Sequence, residues 1–357
     1  MQIHTNVLST IGATPLVELK RLYPQAHHER HSNRPVSIYG KLEALNPGGS
    51  IKDRTSIAIL RDAMNRGLVA PGGSVIESSS GNMAIGLAQA CVFLGLRLIV
   101  VVDRNLNSQT AKILEAYGAQ LEWVCEPDPH DGYLGARLRR VKHLLARIPN
   151  SYWPNQYANP LNPATHVETM REIVDTLERP LDYLLVATST CGTLMGCARY
   201  VREAGLSTKI IAVDAVGSLI FGKRPAKRLI PGHGAGRPSQ LLDERMIHGH
   251  IQVDDLGCVH GCRHLLQREA ILAGGSSGAL VTALGQLLPG MAPDSTCALI
   301  LCDRGERYLD TIYSDAWVAE QFEHQLPKPR RLTPTYPRSQ NWAPTPVAVA
   351  SQVANGV

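Results

Sequence analysis

The sequence predicts an α/β fold of parallel sheets covered on both faces by helices. Two observations carry this. From about residue 36, short aliphatic runs alternate with longer amphipathic segments, the order expected of a strand, a crossover helix and the next parallel strand. Several runs also end in loops of Gly, Ser and Thr that open the next helix, and in such sheets ligands sit beyond the carboxyl ends of strands.

In chain order, strands are expected at Val36–Leu42, Ser74–Glu77, Arg97–Val102, Gln120–Val124, Asp182–Ala187, Lys209–Val213 and Thr296–Leu301. Helices are expected between and after them, at 53–66, 82–95, 108–118, 133–147, 164–178, 193–204, 257–270 and 277–288. Gln25–Pro35, with three histidines, reads as a polar loop, and the Pro-rich, aperiodic stretch 325–357 as a disordered tail. No internal repeat is evident.

With 357 residues, the chain can bury one large or two medium cores. Its formal charge of +5 invites a nucleic-acid reading. However, Gln325–Val357 contains no Asp or Glu and holds Lys328, Arg330, Arg331 and Arg338. The remaining body is nearly neutral, which argues against a polyanion-binding surface and a nucleic-acid partner. No basic-then-apolar leader is visible, and the longest aliphatic run, Leu98–Val102, cannot span a bilayer. The eight cysteines are scattered, as expected of a reduced, cytoplasmic protein. Cys258, His260, Cys262 and His264 suggest a metal cluster, but on a helix the cysteines and histidines fall on roughly opposite faces, so no metal is expected.

The chemistry centres on Asn46-Pro47-Gly48-Gly49-Ser50-Ile51-Lys52-Asp53-Arg54. Here a lysine follows a tight turn at a helix start, a setting that suits an amine kept for covalent chemistry; the plain alternative is a solvated surface lysine. Three strand-to-helix junctions add hydroxyls and glycines. Glu77-Ser78-Ser79-Ser80-Gly81-Asn82 can bind a carboxylate through side-chain and backbone donors, or can simply cap a helix. Ser189-Thr190-Cys191-Gly192-Thr193 makes a nest for a phosphate, without the lysine of a nucleotide loop or the glycine spacing of a dinucleotide fingerprint. Gly274-Gly275-Ser276-Ser277-Gly278 opens a further helix.

In this order the segments resemble the cysteine synthase-like family of fold-type II pyridoxal phosphate (PLP) enzymes. Ile11-Gly12-Ala13-Thr14-Pro15-Leu16 is similar to that family's opening element, and Asp303-Arg304-Gly305-Glu306-Arg307-Tyr308 to its closing one. The resemblance covers roughly Val7 to Gln321. It implies a tryptophan synthase β-like architecture of two parallel-sheet domains with the active site between them. The larger, PLP-binding domain would comprise 1–46 with 158–324, and the smaller, mobile substrate domain 47–157. It further implies that Lys52 carries the cofactor, that Asn82 bonds its ring oxygen, that Ser189, Thr190, Cys191, Gly192 and Thr193 hold its phosphate, and that Ser276 faces its pyridine nitrogen. Ser79, Ser80 and Gly81 would grip the substrate carboxylate. A homodimer is the family's usual state.

Departures narrow the resemblance. The substrate loop reads Ser-Ser-Gly-Asn-Met-Ala where cysteine synthases have Thr-Ser-Gly-Asn-Thr-Gly, and the phosphate loop has Ser189 where they have Gly. Arg237, in Pro231-Gly-His-Gly-Ala-Gly-Arg237, stands where sulfide-using enzymes have an apolar residue. A cation there suits an anionic partner larger than sulfide. With Asp131-Gly-Tyr-Leu134, Asn155-Gln-Tyr-Ala-Asn159 and Val213–Gly222, these features resemble the N-(2-amino-2-carboxyethyl)-L-glutamate synthase branch of staphyloferrin B-type siderophore biosynthesis. That branch joins O-phospho-L-serine and L-glutamate through an α-aminoacrylate, for 2,3-diaminopropionate supply. Arg137, Tyr157 and Arg237 are the candidates for the phosphate or the glutamate carboxylates, each with a surface or structural role as its alternative. Competing readings are an O-acetylserine or O-phosphoserine sulfhydrylase making cysteine, and a non-catalytic PLP-binding regulator on the same scaffold.

Overall fold

The computed structural model describes residues 3–24 and 35–323. The loop expected from Gln25 (apart from Pro35) and the tail beyond 325 lie outside the described residues.

The chain opens with β1 (Leu16–Glu18) and β2 (Ser37–Leu42), followed by α1 (Lys52–Asn65). Then come β3 (Ser74–Glu77), α2 (Asn82–Leu94), β4 (Arg97–Asp103), α3 (Ser108–Ala116), β5 (Gln120–Val124), α4 (Gly132–Arg147) and β6 (Ser151–Tyr152). The second half runs through α5 (Leu161–Thr176), β7 (Tyr183–Ala187), α6 (Gly192–Glu203), β8 (Lys209–Ala215), β9 (Gly249–Val253) and α7 (Asp255–Glu269). It closes with α8 (Gly275–Leu287), β10 (Thr296–Leu301) and α9 (Asp315–Phe322).

Among the described residues two sheets form. One has the order β1-β2-β10-β7-β8-β9, the other β5-β4-β3-β6. Every pairing is parallel except β1 on β2. All residues of β3 and β10 are buried, as expected of strands covered on both faces, and in β10 this gives an apolar run from Cys297 to Leu301. Leu42 pairs with Leu301 across β2 and β10, so the segments that follow these strands leave the sheet side by side. One core packs α7 and α8 against the larger sheet; another packs α1 and α2 against the smaller one.

The expected strands and helices are all present, β3, β5 and β10 with the expected ends and the others with ends shifted by one to three residues. Lys52 is itself the first residue of α1 rather than the residue before it. Helix α5 starts at Leu161, three residues before the expected 164, because Pro163 falls in the first turn, where a missing N–H costs nothing. Strands β1, β6 and β9 were not foreseen. They are five residues or fewer, half-exposed, and lie at or next to sheet edges where one face of pairing suffices. Helix α9 was likewise not foreseen; Ser314 caps it by accepting from Trp317 N.

Candidate active site

The turn before Lys52 is shaped by its glycines. Gly49 takes φ +85°, a left-handed conformation that glycine adopts without strain. A side chain on Gly48 would run into the Asp53 carboxylate, which accepts from Gly48 N at 2.6 Å. The turn lies along the segment leaving β10: Ile51 N donates to Cys302 O at 2.9 Å, and Arg304 N to Gly49 O at 3.2 Å. The Lys52 side chain is half-buried, and its ε-amine makes no hydrogen bond or ion pair with any described residue. Burial depresses its pKa, opposed by the nearby Cys302, Asp303 and Cys191. An amine of that kind spends more of its time neutral, hence nucleophilic and basic. Asp53, beside it, is pushed up to about 7 by burial.

The loop at residues 189–193, expected as a phosphate nest, comes near the same amine through Cys191. Cys191 precedes α6 at φ +65°, and α6 has no side-chain cap, leaving first-turn N–H groups for a ligand. Thr190 Oγ1 accepts from Asn162 Nδ2 at 2.9 Å and from Gly192 N at 3.3 Å. A Cβ on Gly192 would collide with the Asn162 amide. Thr55 of α1 reaches Asn162 at 3.4 Å, so α1 and this loop share one buried polar contact. Ser189 is half-buried and Thr193 buried.

Helices α2 and α8 also begin without side-chain caps, whereas Asn107 and Asp254 cap α3 and α7. Thus the serines before Asn82 do not cap α2, which answers the plain alternative for that loop. Ser79 is buried, Ser80 and Gly81 are half-buried, and space is open above Gly81. The Asn82 amide is held from the opposite side of the cleft: Nδ2 donates to Asp303 Oδ2 at 2.7 Å, and Oδ1 accepts from Arg307. Ser276, in the first turn of α8, is buried, and its hydroxyl lies close to the Cys302 thiol next to Lys52. Asn82, Ser276 and residues 189–193 are therefore all linked to the surroundings of Lys52, through Asp303, Cys302 and Cys191 respectively.

The three candidates for anionic groups lie further out. Arg237 stacks on the Tyr157 ring at 4.7 Å, and both are half-buried. They flank the 189–193 loop: Asn162 bonds the carbonyl of Gln156, beside Tyr157, at 2.8 Å, and Ser239, two residues after Arg237, bonds Thr190 O at 2.7 Å. Among the described residues Arg237 has no carboxylate at ion-pair distance. Arg137, on α4, pairs instead with Asp103 at the carboxyl end of β4, Nε to Oδ2 3.3 Å. No described contact joins Arg137 to the Lys52 cluster.

Sequence reasoning missed several neighbours of the site. Asp303 is buried, and burial raises its pKa; its Oδ2 accepts from Tyr308 as well as Asn82. Glu77, just before the serine loop, is pushed up to about 7 by burial, relieved in part by the Trp153 indole and by backbone N–H groups. The segment Asp303–Tyr308 is legible as a motif, but no local pattern ties Asp303 to Asn82, which it meets across 221 residues of chain. In the helix first read as a metal possibility, Cys258 and Cys262 are buried, His260 is exposed, and His264 bonds Leu22 O at 2.7 Å. No helix among the described residues is long and apolar enough to cross a membrane.

The groups around Lys52 fit PLP. The aldehyde needs an amine, the phosphate needs N–H groups and hydroxyls, and the ring nitrogen accepts from a hydroxyl; Lys52, the uncapped start of α6 and Ser276 offer these. Residues 7–303 match the family model described as pyridoxal-phosphate dependent enzyme. Among solved structures, O-ureido-L-serine synthase superposes with a TM-score of 0.79 at 29% identity, over 89% of this chain and 100% of that one. An O-acetylserine dependent cystathionine beta-synthase from Helicobacter pylori gives 0.78 at 31% identity, over 88% and 100%. Cysteine synthase from Entamoeba histolytica gives 0.79 at 32% identity, over 87% and 91%.

Proposed function

The chain belongs to the pyridoxal-phosphate dependent enzyme family, and from that premise we propose that it joins O-phospho-L-serine to L-glutamate. It is a cysteine synthase-like β-replacement enzyme. In the proposed reaction the Cβ–O bond to phosphate breaks and a bond from the glutamate nitrogen to Cβ forms. The products are N-(2-amino-2-carboxyethyl)-L-glutamate and inorganic phosphate, the former a source of 2,3-diaminopropionate for siderophore synthesis. Two of the similar structures are named for O-substituted serines, which supports a substrate of that class.

Bound at Lys52, PLP supplies the electron sink for bond breaking at Cα and Cβ of an amino acid. Ser189 through Thr193 would hold its phosphate and Ser276 its ring nitrogen; a serine there leaves the ring a weaker sink, suited to loss of a β-substituent. Ser79, Ser80 and Gly81 orient the substrate carboxylate at the start of α2. The Lys52 amine, kept partly neutral by burial, takes the α-proton and later returns it to Cα. The division into domains 1–46 with 158–324 and 47–157, and assembly as a homodimer, belong to the same proposal.

The observation that carries the choice of glutamate over sulfide is Arg237. It lies on Tyr157 beside the phosphate nest, without a described carboxylate partner. A guanidinium so placed binds a carboxylate or phosphate through charge-assisted hydrogen bonds and contributes nothing specific to sulfide. The test is mass spectrometry of products from O-phospho-L-serine with equal concentrations of glutamate and sulfide. The glutamate adduct is the expected main product; cysteine as main product would reinstate the sulfhydrylase reading.

A further inference from the structure

We propose that Asp303 and Arg307 are positioning residues that together dictate which end of the Asn82 side-chain amide faces the bound cofactor. A primary amide has an oxygen end and a nitrogen end of nearly equal shape, and only the chemistry of its partners distinguishes them. At Asn82 both partners are selective. Arg307 lies at Oδ1, and a guanidinium can only donate; Asp303 lies at Nδ2, 2.7 Å away, and a carboxylate can only accept. Rotating the amide by half a turn would set nitrogen against guanidinium and oxygen against carboxylate, with both bonds lost.

The two selectors are themselves fixed. Asp303 is 2% exposed, and its Oδ2 also accepts from the Tyr308 hydroxyl at 2.6 Å. Its backbone is bridged to Ser50, and its other oxygen, Oδ1, is buried without a hydrogen-bond partner. Arg307 extends past Asn82 to donate to Gly48 O at 2.5 Å. The segment after β10 thus holds both the turn before Lys52 and the amide of Asn82. With Oδ1 turned to the Arg307 guanidinium and one N–H held by Asp303, Nδ2 keeps its second N–H to offer to the cofactor. The cleft therefore presents a donor, not an acceptor, to the oxygen on the cofactor ring, which favours that oxygen in its deprotonated form. This rests on Asn82 facing the cofactor and not on the identity of the nucleophile.

The test uses the purified enzyme reconstituted with PLP. Three readouts apply: the balance of the cofactor's long-wavelength (ring oxygen deprotonated) and short-wavelength (protonated) absorbance bands as a function of pH, the cofactor dissociation constant, and the melting temperature of each variant. Asn82→Ala should move the balance toward the short-wavelength band. Asp303→Asn and Arg307→Gln each leave one selective partner and should keep the parental spectrum. Combined, they leave none, and the double variant should move toward the spectrum of Asn82→Ala and bind the cofactor about tenfold more weakly. In the Asp303→Asn background, Arg307→Lys, still donor-only, should keep the parental spectrum where Arg307→Gln loses it. If the double variant does not fold, Asp303→Ser with Arg307→Gln asks the same question with a smaller buried side chain. A folded double variant with the parental spectrum, alongside a shifted Asn82→Ala, overturns the role of Asp303 and Arg307 alone. A parental spectrum for Asn82→Ala overturns the placement of Asn82 and this inference with it.

Discussion

Single residues around the cleft are set by burial more than by contact with charge. Glu77 shows this most clearly. It is 3% exposed, and burial pushes its carboxyl up from 4.5 to about 7 despite the bonds from Trp153 and Ser78. The folded protein therefore keeps a proton that the unfolded chain releases above pH 4.5. The stability tied to this group is present at low pH and is lost as pH rises through about 7. Glu77→Gln keeps the accepting oxygen and removes the charge. At pH 8 it should be more stable than the parent by up to about 3 kcal/mol, a gap that shrinks toward zero below pH 5. Urea unfolding at the two pH values checks this, and an equal gap at both would show that Glu77 is not titrating. In the sequence Glu77 reads as the end of a strand and the start of the serine loop, with nothing to mark its pKa, which comes from the mass of protein packed around it.

At the scale of elements, glycines do two different jobs that look alike in a sequence. Gly274-Gly275-Ser276-Ser277-Gly278 reads as a helix-opening loop, and Ser276 does open α8. Gly278, however, is a packing glycine: α7 and α8 cross in backbone contact there, and a Cβ would press on Cys258 O and on Cys262 Sγ. Gly261, opposite, would strike the carbonyl of Gly278. Gly278→Ala gains about 1 kcal/mol of helix propensity but forces the helices apart. The expected net loss is about 1–3 kcal/mol. Because α8 carries Ser276, the same variant should also hold PLP more weakly. A melting curve and a cofactor titration read the two effects. An unchanged melting temperature would mean that the crossing relaxes freely.

At the scale of the molecule, one buried ion network fastens α1, and so Lys52, to its surroundings. Arg54 of α1 bonds Glu43 through Nε at 2.8 Å and Glu172 of α5 through Nη1 at 2.7 Å. Lys41 of β2 reaches the same Glu172 at 2.5 Å. Thr14 and Asn46 add a second donor to each oxygen of Glu43. Burial would raise Glu172, but Arg54 and Lys41 hold it down to about 2. Truncating one member of such a set strands the others without partners. Arg54→Met is therefore expected to cost about 3–5 kcal/mol. Since the network lies one turn from Lys52, it should also slow turnover. Denaturant unfolding measures the first effect, and a loss below about 1 kcal/mol would mean that the network is decorative.

The alternation of strands and helices, the Lys52 turn, and the hydroxyl loops at 77–82, 189–193 and 274–278 were legible in the sequence. Each is a local pattern, written in period, turn chemistry and the residues of one junction. Short edge strands such as β9 were not, because pairing on one side asks little of composition. Nor was the division of labour among the arginines. In the sequence Arg137 and Arg237 are both candidates; in the fold Arg137 meets Asp103, whereas Arg237 stacks on Tyr157 and has no carboxylate partner among the described residues. Nor did any pattern announce that Asp303 and Arg307 would hold Asn82. Those partners are separated by more than two hundred residues and meet only because parallel strands of two sheets end at one cleft. What the sequence determined by itself was the set of chemical groups and the elements that carry them. The tertiary structure alone decided which groups are buried, which charges are neutralised and which face of an amide is presented, because these depend on contacts between segments remote in the chain.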